Sequence, residues 1–289
     1  MITLENEYLK VSVQYKGAEM TSFFNKENNT EHLWQANPQV WGWHAPNLFP
    51  VVGGCINDEL IVDGNSYPMQ RHGFARHSNF TLIESDKTHA RFSLSDTEET
   101  RKVYPYKFSF QVIYDLSGRE LWVTYKVINN DDQAIHFSVG AHPAFNLPFS
   151  PDESMENYYL EFENSEALTT HLLSAQGFFT GETEELSKET NQLPITKELF
   201  AKDALVFKEL SSRKVSIKSN KHAHSLYIRY RHFNYLGIWA KYGAPFVCLE
   251  PWIGCADTEG KATDIAEKEG IHKLEIGNVF EADFTIGVN

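Results

Sequence analysis

The sequence is poor in the features that announce many protein classes. It has three cysteines, Cys55, Cys248 and Cys255, an odd number with no Cys-x-x-Cys spacing. That argues against a disulfide framework or a zinc–thiolate site and fits a reducing cytoplasm. No stretch approaches the ~18–20 apolar residues of a membrane-spanning helix. The first residues, Met1 to Glu7, lack a basic segment followed by an apolar one, so they read as a first strand and not as a secretory signal. Positive charge is scarce: 26 Lys and Arg against 39 Asp and Glu give a net charge of −13. Such a surface repels nucleic acid and anionic membrane and says little about a small neutral ligand. There is no Gly-x-Ser-x-Gly elbow, Walker loop or Gly-x-Gly-x-x-Gly, which sets aside the common serine hydrolase, nucleotide hydrolase and dinucleotide readings.

Long helical periodicity is also nearly absent, with short candidates only at Thr196–Phe200 and Thr263–Lys268. What is present is alternation. Leu9, Val11, Val13 and Tyr15 alternate with polar residues, as do Leu121, Val123, Tyr125 and Val127, then Val215 and Ile217, then Leu226, Ile228 and Tyr230. Period two in β-branched and aromatic residues predicts half-buried antiparallel strands. Turn chemistry separates them at Asp63-Gly64-Asn65, Ser117-Gly118, Asn129 to Asp132 and Lys241 to Gly243. The expected fold is all-β, a large antiparallel β-sandwich with a few short helices, built as one domain over residues 1–289. Residues 150–200 are polar and irregular, and read as a long solvated excursion.

Four segments are chemically dense. The first is Phe246-Val247-Cys248-Leu249-Glu250-Pro251-Trp252, a carboxylate in an apolar strand. Glutamate is rarely buried without a partner or a task. Pro251 predicts that the strand ends there, leaving Glu250 at a strand end beside the flat face of Trp252; the competing reading is a rim glutamate next to a core tryptophan. Cys248 reads as a small core residue. The second segment is Gly140-Ala141-His142-Pro143-Ala144-Phe145-Asn146, where proline holds His142 out of the helical region at another strand end. Histidine can give or take a proton near neutrality, whereas a histidine capping a sheet edge would do neither. The third is Arg71-His72-Gly73-Phe74-Ala75-Arg76-His77, able to bind hydroxyls or a phosphate, or to serve as a solvated basic loop. The fourth is Asn47-Leu48-Phe49-Pro50-Val51-Val52-Gly53-Gly54. His222-Ala223-His224 would put two rings on one strand face, but no spacing implies a third ligand, so no metal is expected.

Taken together, the segments resemble the aldose 1-epimerase (galactose mutarotase-like) family. Asn-x-Phe-Pro at 47–50, His-Gly-Phe-Ala-Arg at 72–76, His-Pro-Ala-Phe-Asn at 142–146 and Leu-Glu-Pro-Trp at 249–252 occur in the family's order, and Asp203-Ala204-Leu205-Val206-Phe207 is similar to its aspartate segment. The resemblance implies a sugar site on the concave face of a β-sandwich sheet and interconversion of α and β anomers with no cofactor. It implies that Glu250 is the base at the anomeric hydroxyl, that His142 is the acid at the ring oxygen, and that His72 and Asp203 hold the sugar. Arg71, Arg76, Asn47, Phe145 and Trp252 complete the expected substrate-binding set; stacking by Trp252 and Phe145 is inferred from their chemistry alone. The sequence departs from the family pattern at Gly54, where an arginine that binds sugar hydroxyls often stands; Arg71 and Arg76 are the candidates to replace it. His-Gly-Phe-Ala-Arg also resembles the hexose-6-phosphate epimerase branch, so the implied partner is a small sugar or a sugar phosphate. Two other readings are a non-catalytic sugar sensor of the same fold and a glycoside hydrolase pairing Glu250 with Asp203 or Asp257. Monomer and homodimer both stay open.

Overall fold

The computed structural model describes residues 1–289. The alternating segments form antiparallel sheets, as the sequence implies. The largest sheet has nine strands, in the order Phe179–Pro194, Tyr158–Leu173, Lys214–Ser219, Ser225–Arg229, Val279–Val288, Glu120–Asn129, Phe108–Ser117, His89–Ser95 and Thr81–Ser85. A six-stranded sheet runs Leu205–Phe207, Tyr235–Trp239, Phe246–Ile253, Val139–Ala141 and Asn47–Leu48, with Ala144–Asn146 also pairing to Phe246–Ile253. A four-stranded sheet from Ile2–Glu5 to Thr30–Glu31, the hairpin Glu59–Val62 with Asn65–Pro68, and a pairing of Ile135–Phe137 with His272–Leu274 complete the β structure. Helix is confined to single turns, including Glu198–Phe200 and Ile265–Glu267 inside the two expected helical segments. No helix is long and apolar enough to cross a membrane.

Period-two side chains of the two large sheets meet in one continuous core of 70 buried residues, so apolar burial joins them into a sandwich. Phe49, entering from the six-stranded sheet, stacks on Phe110 of the nine-stranded sheet at 4.5 Å between ring centroids. Asn47 bridges the layers: its Oδ1 accepts from the Tyr125 hydroxyl at 2.7 Å, and its amide donates to Gly17 O at 2.9 Å and Ala18 O at 3.1 Å. Asn146 does similar work at the edge, donating to the carbonyls of Glu31 and Leu33, each at 2.9 Å.

Two expectations are corrected by the fold. Residues 150–200 are not an irregular excursion. They contain a long hairpin, Tyr158–Leu173 with Phe179–Pro194, at the edge of the nine-stranded sheet. The outer strand is paired on one side only and mostly exposed, so its polar composition is what a protected edge requires and carries no core signal. Second, Pro251 does not end its strand: Phe246–Ile253 runs through it, and Glu250 lies mid-strand opposite Gly237. On the other side of this strand the partner changes from Ala144–Asn146 to Val139–Ala141. Leu249 sends its N–H to that side, to Pro143 O at 3.3 Å. Two residues on, Pro251 faces the same side, where the ladder breaks at His142-Pro143, so its missing N–H costs no hydrogen bond.

Candidate active site

Because side chains alternate along a strand, Cys248, Glu250 and Trp252 share one face of Phe246–Ile253 while Val247, Leu249 and Ile253 face the core. Above Glu250 and Trp252 opens a cleft of about 510 Å³. Val206 and Trp239 extend its floor from neighbouring strands, and His142 enters from the break between Val139–Ala141 and Ala144–Asn146. Loops bring in Arg71, His72 and Trp41, the single helical turn Ala75–His77 brings in Arg76, and the edge hairpin closes one side with Gln176, Gly177 and Phe179.

Trp252 lies flat on the sheet. A Cβ on Gly237 would stand 2.5 Å from its Cζ2, and one on Gly140 2.7 Å from its Cδ1. Glycines on the two flanking strands are therefore what let the indole spread across them.

Glu250 and His142 form the centre. Glu250 is 1% exposed and His142 8%, and Glu250 Oε2 lies 3.1 Å from His142 Nε2. Oε2 has no aligned hydrogen-bond donor, and the indole nitrogen of Trp252 also lacks a protein partner. Burial, then the charge of Asp203, pushes the Glu250 carboxyl well above the usual range. Burial likewise pushes His142 down to about 3, with Arg76 adding to the shift. Its ring is stacked on Trp41 at 5.0 Å and met edge-on by Trp239 at 5.8 Å. Both shifts favour the uncharged pair.

His72 stands with its ring 5.7 Å from that of His142. Desolvation, then His142, Arg76 and Arg71, hold its pKa well below the ordinary value. The backbone N–H of Gly53 donates to its Nδ1 at 3.0 Å, so the neutral ring carries its proton on Nε2 and can donate to an oxygen. Arg76 Nη2 donates to Arg71 O at 2.8 Å and its guanidinium lies over Trp43. Arg71 donates to the carbonyls of Gln176 and Gly177 on the hairpin turn. Its guanidinium also fills the room beside Gly54: a Cβ there would lie 3.1 Å from Arg71 Nη2 and 3.0 Å from Phe178 Cε1. The Arg71 guanidinium thus occupies the space a side chain at Gly54 would enter.

The cleft therefore gathers Glu250, His142, His72, Asp203, Arg71, Arg76 and Trp252. It does not gather Asn47 or Phe145. Asn47 is 2% exposed and spends its amide between the sheets. Phe145 is fully buried opposite Val247, whose side chain faces the core. Motif neighbours on a strand point to opposite faces, which is why these two part from the site. Asp257 is also withdrawn: Lys268 pairs with its Oδ1, and Oδ2 accepts from Ile56 N at 2.9 Å. That pairing removes it as a second carboxylate for glycoside hydrolysis. Trp41, Trp239, Phe179 and the Gln176-Gly177 turn were not singled out from sequence. Trp239 ends an apolar run and offered a weak signal; the turn, set in polar sequence, offered none.

A family model described as aldose 1-epimerase matches residues 1–258. The chain belongs to the aldose 1-epimerase family. It is similar to the LacX protein of Lactococcus lactis, 32% identical over 287 residues and 94% of each chain. It superposes on a galactose mutarotase related enzyme from Lactobacillus acidophilus with a TM-score of 0.95 at 35% identity, covering 100% of this chain and 97% of that one. A galactose mutarotase-like protein from Lactobacillus casei gives a TM-score of 0.94 at 32% identity with 100% of both chains covered.

Proposed function

We propose that this protein interconverts the α and β anomers of a hexose or hexose phosphate by acid–base ring opening, without a cofactor. The observation that carries the reading is the buried Glu250–His142 pair, 3.1 Å apart on the cleft floor. The anomeric and ring oxygens of a pyranose are bonded to the same carbon, so adjacent acid and base groups can reach both. Glu250 takes the proton of the anomeric hydroxyl, the bond from C1 to the ring oxygen breaks, and His142 protonates that oxygen. Rotation about C1–C2 and reversal of the proton transfers close the ring on the other face. Each group supplies roughly 10²–10⁴-fold, and a sugar held between them gains orientation.

In the free protein burial favours the uncharged pair. A bound sugar changes that balance. Its anomeric O–H donates to the carboxylate and its ring oxygen accepts from the imidazolium, and both bonds favour the charged forms. The proton crosses from Glu250 to His142 as the sugar binds. His72 Nε2–H, Asp203, Arg71 and Arg76 hold hydroxyls or a phosphate, and Trp252 offers an apolar plate to the ring's C–H face. The continuous core supports one domain over residues 1–289, and three buried free cysteines suit a reducing compartment such as the cytoplasm. The test is anomer exchange by NMR over a panel of free and 6-phosphorylated hexoses. Saturable binding without exchange for every sugar would establish a sensor instead.

A further inference from the structure

Cys248 has no part in that reaction, yet it lies one strand repeat from Glu250 on the same face. His142, Cys248 and Glu250 offer ligand atoms that all fall within 4.8 Å of one another. All three are buried, with exposures of 8%, 0% and 1%. Glu250 Oε2 is buried without a hydrogen-bond partner and faces His142 Nε2.

We infer that His142, Cys248 and Glu250 form a site for a zinc-like divalent cation that blocks the cleft. Nitrogen, sulfur and oxygen from three residues with a fourth position open to the cleft is a donor set that zinc accepts. The 3.1 Å between Nε2 and Oε2 subtends about 98° at a metal ~2.0–2.1 Å from each, near a tetrahedral angle. Trp41 and Trp239 pack against the imidazole, and Phe246 packs against both indoles, a low-dielectric shell that strengthens metal–ligand bonds. As the metal binds, the Cys248 thiol proton and the Glu250 carboxyl proton both leave to solvent. The metal then occupies the carboxylate oxygen and the imidazole nitrogen that anomer exchange needs; this blocking rests on the proposed function, whereas the site itself does not.

The test uses chelator-treated, full-length protein and cobalt(II) as the spectroscopic probe. Saturation at one equivalent with a sulfur-to-cobalt charge-transfer band is expected, and its loss in Cys248→Ser. Cys248→Ala gives the same reading should the serine variant fold poorly. Absence of the band in wild type, or its survival in both variants, overturns the site. In parallel, zinc should inhibit anomer exchange, and Cys248→Ser should need at least about tenfold more zinc, each protein measured against its own rate in chelator. Equal sensitivity overturns the blocking. A Cys248-dependent cobalt band in a protein with no exchange on any sugar would leave the site standing and remove the enzyme reading.

Discussion

Replacing Glu250 by glutamine separates the stability of the site from its chemistry. Glutamine keeps the shape and cannot ionise. In wild type, burial and Asp203 raise the Glu250 carboxyl well above its ordinary value of 4.5. A folded pKa raised above the unfolded one contributes stability that is fully present below the unfolded value and is lost as pH rises through the folded one. Each pH unit in that window costs about 1.4 kcal/mol. At about pH 7.5, some three units above the unfolded value, wild type has lost up to about 4 kcal/mol, a ceiling reached only if the carboxyl is still protonated there. Glu250→Gln loses none of it. The acid-side penalty of His142 occurs in both proteins and drops out of the difference. Urea unfolding in chelator should therefore give coincident stabilities near about pH 4.5 and a variant more stable by as much as ~4 kcal/mol near neutrality. Anomer exchange should fall by roughly 10²–10⁴-fold, or about 3–5 kcal/mol of barrier. A variant that is less stable at neutral pH would show that the resting pair is carboxylate and imidazolium, because removing one partner then strands a buried charge. Undiminished exchange would show that Glu250 is not the base.

Three further outcomes follow from the geometry. Gly54→Arg puts a side chain into the space held by Arg71 and Phe178; the half-saturating sugar concentration should rise by about tenfold or more, as for loss of one charge-assisted hydrogen bond, measured by titration calorimetry. Gly237→Ala drives a methyl to 2.5 Å from Trp252 Cζ2, so about 1–3 kcal/mol of stability should be lost, read by denaturant unfolding, together with weaker sugar binding. His32 is 1% exposed with neither ring nitrogen partnered, and burial lowers it to about 4 from 6.5. A depressed pKa means stability present above the unfolded value and lost as pH falls toward the folded one. His32→Phe should thus abolish about 3 kcal/mol of acid loss between pH 6.5 and 4, visible as a flatter acid limb in unfolding curves.

Much of the fold was legible because antiparallel strands with one buried face write period two into the sequence. Leu9–Val13, Glu120–Asn129, Lys214–Ser219 and Ser225–Arg229 all carry that pattern and all are strands. The edge hairpin was illegible for the opposite reason. An unpaired edge is kept polar, so Phe179–Pro194 looks like loop while helping to form a cleft wall. Pro251 misled because the rule against proline in central strands assumes a continuous ladder on both sides, and here the ladder breaks at His142-Pro143.

The residues themselves determine an acidic all-β chain with a family's motifs in order, the segments that carry Glu250, His142, His72 and Asp203. Those follow from local chemistry: alternation, turn residues and short motifs are written contiguously. Only the tertiary structure decides which motif residues meet. It turns Asn47 and Phe145 into the core, withdraws Asp257 to Lys268, puts Arg71 where Gly54 lacks a side chain, and sets Cys248 beside Glu250 and His142. These are distances between segments far apart in sequence, set by strand pairing and by the two-sided pleat, and no local pattern encodes them.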